Sequence, residues 1–253
     1  MPTLSVIIIT RNEEANLEAC LSSLEGLAQQ IVVVDTNSSD RTLEIAQKYG
    51  ALISQPPDWP GFGPQKNRAL DLASSDWVLS LDADERLTPA LRSEIATALE
   101  HPAHINCFAI PRLSWYCGRF IRHSGWNPDF VDRLFKRGTA RFSDDLVHER
   151  LIPDGPVAKI CSPMLHYSFM NYSQVLQKID RYSTASAEQA FAKGKTSSPF
   201  KAVTHGLWAF VRTYILQAGF LDGPQGLALA ISNGQGTYYR YMKLWQLYQD
   251  AKQ

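Results

Sequence analysis

Short β-branched and apolar runs alternate along the first hundred residues with stretches whose apolar positions recur every three or four residues. Leu4 to Ile9 is apolar almost throughout, the pattern of a strand covered on both faces. Asn12 stands where it can cap a helix carrying Leu17, Leu21 and Leu24. A second run, Ile31 to Val34, ends at Asp35, and Ser38-Ser39-Asp40 then opens a helix with Leu43, Ile45 and Ala46. A Pro- and Gly-rich loop from Gln55 to Pro64 leads into a predicted helix over Gln65 to Ala73. Trp77 to Leu81 is a strand that runs into Asp82-Ala83-Asp84-Glu85, and Thr88-Pro89 starts the next helix. This alternation predicts an α/β fold with a mainly parallel central sheet flanked by helices. From Asn106 to His166 short strands with aromatic residues predict a mixed sheet beside the parallel one. Beyond Asn171 the spacing is helical, with Val175, Ile179 and Tyr182 on one face and a long aromatic segment from Phe200 onward.

Composition narrows the class. With 253 residues and 45% hydrophobic content the chain can bury a full-sized core. Lys+Arg and Asp+Glu each number 25, so no global basic excess draws it to nucleic acid, and any acidic partner must be met locally. Cys20, Cys107, Cys117 and Cys161 lie far apart with no CxxC pair, a pattern of reduced thiols rather than of zinc knuckles or a disulfide framework. The start, Met1-Pro2-Thr3-Leu4-Ser5-Val6, lacks the basic flank and cleavage site of a signal peptide, so export is not expected. No apolar run approaches the roughly 20 residues that span a bilayer.

The candidate chemistry sits at strand ends, where open α/β sheets bind ligands. Asp82 and Asp84, two residues apart where the chain leaves the pleat, can serve different partners, one a ribose hydroxyl and the other a divalent cation bridging two phosphates. A solvated turn capping the next helix is the plainer alternative. Thr10 to Glu14 and Asp35 to Asp40 lie at the same predicted edge, and Asp35 or Glu13 can accept hydrogen bonds from a uracil imide or ribose hydroxyls. Neither loop is a GxGxxG or GxxxxGK[ST], which removes support for nucleotide-dependent dehydrogenases and P-loop phosphotransferases.

Together, Leu4 to Glu14, Val33 to Thr42 and Asp82-Ala83-Asp84-Glu85 resemble a family-two glycosyltransferase of the GT-A fold. Asp58 to Asn67 and Gly219-Phe220-Leu221-Asp222-Gly223 extend the resemblance to bacterial lipopolysaccharide core β-1,4-glucosyltransferases. The resemblance implies that Thr10, Glu13 and Asp35 contact the nucleoside, that Lys66 approaches the donor, that Asp82 faces the ribose, and that Asp84 binds magnesium or manganese. GT-A enzymes often recruit a late residue to the metal or diphosphate, which makes His166 a candidate ligand, with a satisfied structural histidine as the alternative. It also implies residues 1–168 as the GT-A catalytic domain, 1–100 binding the nucleotide sugar and 101–168 the acceptor, with 169–253 a C-terminal helical appendage. Inverting transfer needs one base and no protein nucleophile. The candidates are Asp144, Asp145 and Glu149. Val147-His148-Glu149 looks like the subgroup's base position, which favours Glu149, while the family's usual Glu-Asp pair is absent and leaves Asp145 the rival.

Arg112, Arg119, Arg122 and Arg133 offer guanidinium groups for acceptor phosphates. Phe200 to Leu216, apolar and aromatic with interspersed basic residues, suits an interfacial helix anchored by Trp208, Phe210 and Tyr214, or equally a packed core helix. The expected enzyme moves a hexose from a nucleotide-diphosphate sugar, glucose on a uridine carrier first, to a lipid-linked saccharide at the cytoplasmic face of the bacterial inner membrane. Transfer of a heptose, or a catalytically silent sugar- or lipid-binding scaffold, are the alternatives.

Overall fold

The computed structural model describes residues 2–144 and 149–252. The chain divides into two compact units, Met1–Arg112 with Asp129–His166, and Leu113–Pro128 with Tyr167–Gln253.

In the first unit, β1 (Leu4–Thr10), β2 (Gln30–Asp35), β3 (Leu52–Ser54) and β4 (Trp77–Asp82) run parallel. They are linked by α1 (Leu17–Ser22), α2 (Thr42–Lys48) and α3 (Phe62–Asp71). Next come β5 (Glu85–Leu87), α4 (Pro89–Glu100), β6 (Cys107–Tyr116), β7 (Arg119–Phe120), β8 (Asp129–Lys136), β9 (Ala140–Phe142), β10 (Leu151–Pro153), β11 (Val157–Lys159) and β12 (Met164–Phe169). The sheet order is β3-β2-β1-β4-β8-β6-β12-β5, so the antiparallel β8 extends the parallel half on its β4 edge. The division between units falls inside β6 and β12.

Strand alternation sorts the core into two layers. Leu4, Val6 and Ile8 of β1 pack with Leu17, Leu21, Ile45 and Ile95 from α1, α2 and α4. Ile7 points the other way, with Val32, Val34, Ala69, Leu70 and Phe135. Both faces of β1 are thus covered, which is why the run is apolar without interruption. Thr88 caps α4 as its sequence suggests, its hydroxyl accepting from the Leu91 N–H at 3.1 Å. Asn12 does not cap α1. It sits at φ 56°, and its side-chain oxygen accepts the Ser39 N–H at 2.8 Å, joining the β1 and β2 strand-end loops. A short polar side chain that tolerates left-handed backbone serves that bridge better than a helix start.

In the second unit, α5 (Tyr172–Ala192), α6 (Pro199–Val211) and α7 (Gly223–Asp250) pack with α7 against both others. Gly206 and Gly234 set the α6–α7 approach, since a Cβ on either would meet the other's carbonyl oxygen at 3.1 Å. Asp222, fully buried, ties the 3₁₀ turn Gly219–Asp222 to the loop at 122–124. It accepts the backbone N–H of Arg122 and of His123, each at 3.0 Å, and the Ser124 hydroxyl at 2.9 Å. Burial alone would push this carboxyl up, but the hydrogen bonds from Arg122, Ser124 and His123 outweigh it and hold the carboxyl below its ordinary range.

Asp222 therefore contributes stability above about pH 4 that is lost as pH falls through the carboxylate range. Asp222→Ala orphans several buried donors and should cost about 3 kcal/mol or more in chemical denaturation at pH 7. Asp222→Asn should also remove part of the acid-side loss of stability, and an unchanged acid limb would refute this role.

Candidate active site

Register places the functional carboxylates at one edge. Thr10 pairs with Asp35, and Ile9 with Asp82, across β2, β1 and β4, so the carboxyl ends of three parallel strands deliver the side chains side by side. The Thr10 hydroxyl donates to Asp35 Oδ1 at 2.8 Å. Asp35, fully buried, also accepts the Ser38 hydroxyl at 2.5 Å and the Ser38 N–H at 2.9 Å. These bonds fix the β2 loop around Asp35. Gln65 reaches the same loop from α3, donating to Thr36 Oγ1 at 3.1 Å.

Asp82 anchors a line of alternating charges. Its Oδ1 lies 3.0 Å from Lys66 Nζ, and its Oδ2 accepts from Arg133 at 2.6 Å. Arg133, nearly buried, donates with the same nitrogen to Glu85 Oε1 at 2.7 Å. Lys66 in turn lies 3.2 Å from Glu149 Oε1. Glu85 is fully buried and accepts the Asp82 N–H through its other oxygen at 2.9 Å. Burial would raise the Asp82 carboxyl, yet Arg133 and Lys66 overcome it and hold Asp82 well below the carboxylate range. For Glu85 burial prevails: Arg133 offsets it only in part, Asp82 adds to it, and the carboxyl is pushed up. The network walls a cleft of about 310 Å³ in which Lys66, Asp82, Arg133 and Glu149 meet Phe142 and Arg112.

Helix α3 organises this wall through four neighbouring positions. Gly63 lies against the backbone of Ser143, and a Cβ there would come within 1.8 Å of the Ser143 carbonyl oxygen. Asn67 clamps Phe142, donating to its carbonyl at 2.9 Å and accepting its N–H at 3.0 Å. Lys66 and Gln65 supply the contacts given above.

Asp84 and His166 form a second pair, with Oδ2 and Nε2 3.4 Å apart. Strand β12 brings His166 into register opposite Glu85 on β5. Glu13, half-buried, accepts from Asn16 at 3.1 Å, and burial raises its carboxyl, with Asp84, Asp40 and Asp82 adding to the rise. Among the described residues no group of three or more His, Cys, Asp or Glu side chains could hold a metal alone.

Thr10 thus meets Asp35, Lys66 meets Asp82 and Glu149, and Asp84 meets His166. Asp145 and His148 lie outside the described residues, and Asp144 is exposed. Arg133, expected among acceptor-phosphate candidates, is instead committed to Asp82 and Glu85. Gly63, Asn67 and Glu85 were missed. Only the Gly-Phe-Gly spacing before Lys66 hinted at a close approach.

The family model described as glycosyl transferase family 2 matches residues 5–155, from β1 past the Glu149 segment. The chain belongs to glycosyl transferase family 2. Over nearly its whole length this glycosyltransferase resembles LpsC of Rhizobium meliloti (strain 1021), a lipopolysaccharide core biosynthesis glycosyltransferase. The two are 31% identical over 97% of this chain and 92% of LpsC. It is also 28% identical to an uncharacterized glycosyltransferase of Rickettsia typhi (strain ATCC VR-144 / Wilmington), over 98% of this chain and 88% of that one. The crystal structure of S. aureus TarS 1–349 in complex with UDP-GlcNAc superposes with a TM-score of 0.52 at 16% identity, covering 98% of this chain and 92% of that one. The fold is of GT-A type.

Replacing Arg133 with Met should destabilise the protein by about 3–5 kcal/mol, because the fully buried Glu85 then loses the guanidinium that faces it at 2.7 Å, while Asp82 keeps only Lys66. Glu85 can relieve this by protonation, so the deficit relative to wild type should shrink from pH 8 to pH 5 in urea titrations. A deficit independent of pH would contradict the charge network.

Proposed function

We propose that this glycosyltransferase moves a hexose, with UDP-glucose the first donor to test, onto a lipopolysaccharide-core or other lipid-linked saccharide, with inversion at the anomeric carbon. The observation that carries the reading is Lys66 set between Asp82 and Glu149, which joins the donor edge of the sheet to a second carboxylate lining the same cleft, as Asp132 also does. The name of LpsC supports the acceptor class.

In this reading Asp82 accepts a ribose hydroxyl, Thr10 and Asp35 shape the nucleoside loop, and Glu13 lies at its rim. Lys66 turns toward the donor phosphates. Glu149 takes the proton of the acceptor hydroxyl as that oxygen attacks the anomeric carbon and the nucleoside diphosphate departs. Asp145 is the alternative base. Asp84 and His166 would hold a magnesium or manganese ion. The Asp84 carboxylate would supply the oxygen ligand such a cation prefers, with His166 beside it, and the donor diphosphate would offer further oxygens. Such an ion offsets charge on the leaving group. Residues 1–168 carry this chemistry, and 169–253 serve the acceptor side.

The second unit supports work at the inner face of the bacterial inner membrane, as a peripheral protein in the cytoplasm. Among the described residues no helix is long and apolar enough to cross a membrane. The outward row of α6 is apolar: Phe200 is 78% exposed, Leu207 62% and Trp208 56%, with Val203 between them. Phe210 and Tyr214, the other expected anchors, stack on each other with centroids 5.6 Å apart and are only half exposed. From Gln189 to Gln249 the only acidic residue is the buried Asp222, against Lys193, Lys195, Lys201, Arg212, Arg240 and Lys243. That balance suits anionic lipid headgroups.

Transfer from labelled UDP-glucose to a lipid-linked core acceptor, with other nucleotide sugars as competitors, tests the reading. Glu149→Gln should lower turnover by roughly 10² to 10⁴-fold with little change in donor affinity, and Asp84→Asn should abolish metal-stimulated transfer. If Asp145→Asn has the larger effect, the base assignment passes to Asp145. Leu207→Ser with Trp208→Ser should reduce sedimentation with phosphatidylglycerol vesicles while sparing donor hydrolysis in solution; undiminished sedimentation would remove the membrane role of α6.

A further inference from the structure

The second unit contains a cavity that none of the proposed transfer chemistry uses. It measures about 300 Å³ and is walled by α5 and α7. Its floor is apolar: Val175, Leu229, Phe169 and Tyr116 are buried there, and Trp126 stacks on Phe169 with ring centroids 6.1 Å apart. Small polar groups, among them Ser186, Asn233 and Thr237, complete the walls. The charged residues that line it are Lys178 and Arg240, and no carboxylate does. Lys178 Nζ overhangs the floor, 4.6 Å from the Phe169 ring centroid. The nearby α5 carboxylate, Asp180, is occupied by Lys243 at 2.6 Å and does not neutralise the cavity.

Gly236 keeps the space open. A Cβ there would meet nothing nearer than Ile179 at 3.9 Å, so this glycine serves no close backbone approach. A longer side chain at 236 would enter the volume instead.

We infer that this cavity binds a single acyl chain bearing an anionic head, the chain on the aromatic and aliphatic floor and the phosphate or carboxylate on Lys178 and Arg240. The buried floor side chains are carbon apart from the Tyr116 hydroxyl, which is already paired with Ser232 at 2.9 Å, and so the floor suits methylenes rather than sugar hydroxyls, which are recognised through paired hydrogen bonds. Two cations with no carboxylate beside them suit an anion. The same chemistry is offered by the lipid anchor of an acceptor and by a bulk anionic phospholipid. Assigning it to the acceptor rests on the lipid-linked reading of the proposed function, whereas the binding itself does not.

Calorimetric titration of the full chain with hexyl, octyl and decyl phosphate, below their micelle concentrations, tests the inference without any donor. One site per chain is expected, tightening roughly four-fold per methylene, with inorganic phosphate and decanol each binding far more weakly. Lys178→Ala with Arg240→Ala should weaken decyl phosphate at least ten-fold, and Gly236→Met should abolish the chain-length dependence while circular dichroism reports a folded protein. If Gly236→Met does not fold, the double alanine variant carries the test, since its side chains lie at the rim. Affinity independent of chain length, or binding unchanged in both variants, would overturn the inference, as would anionic sugar phosphates binding as tightly as decyl phosphate. To separate the two sources, a raised KM for lipid-linked but not delipidated acceptor in Gly236→Met points to the acceptor anchor. Loss of phosphatidylglycerol-vesicle binding at unchanged KM points to phospholipid. If neither moves, a lipid role for the cavity is refuted. Loss of transfer with decyl phosphate binding intact would count against the proposed function alone.

Discussion

Arg133 lies nearly buried between Asp82 and Glu85, and Lys66 meets Asp82 from the other side. Two carboxylates this close cannot both remain ionised away from water unless cations are held beside them. That requirement fixes the neighbourhood. Strand β8, antiparallel to β4, delivers the guanidinium, and α3 presents Lys66 to the same carboxylate. Once Lys66 is there, its second contact with Glu149 draws the far wall of the cleft into the same network. The unequal outcome for the two carboxylates has a physical cause: Asp82 has two cations, while Glu85 has the deeper burial and shares Arg133. Asp82 is thereby kept ionised at the cleft, and Glu85 serves as its scaffold.

How much of this could be read from the chain depends on how local each signal is. The parallel strands were legible because both faces of β1 are covered and the run is apolar throughout. The edge formed by Thr10, Asp35, Asp82 and Asp84 was legible because strand ends in such sheets converge by topology. Arg133 was not. Its partners lie 48 and 51 residues away, and nothing in Asp132-Arg133-Leu134 distinguishes a buried guanidinium from a solvated one. Asn12 misled because the same short polar side chain that caps helices also tolerates positive φ, and only the second loop, at Ser39, decides between the two. The Gly219 to Gly223 segment stood out as a motif, but its reason is the buried Asp222 carboxylate, whose donors come from residues about a hundred positions earlier.

The two units solve different problems with different charge balances. The chain is neutral as a whole. In the first unit acids and bases are interleaved at short range, and most of the site's energy lies in how they are paired. In the second, the long stretch that includes α6 and α7 has almost no acids, and its large side chains are left outward on α6. Its cavity repeats that balance on a smaller scale, with cations at the rim and carbon at the floor. Surfaces of this kind are unfavourable in water unless something covers them, which separates them from the self-sufficient pairing around Asp82.

Gly63 acts by occupying no space. Because the carbonyl of Ser143 fills the volume where a side chain would begin, the gap between α3 and the cleft's far wall is set by main chain rather than by any residue's shape. A Cβ at position 63 would also lie 3.5 Å from the Glu149 Cβ, so Ser143 and Glu149 both meet α3 at a point where it carries no side chain. Any larger residue at 63 would have to displace that backbone, and with it the spacing between Lys66 and Glu149.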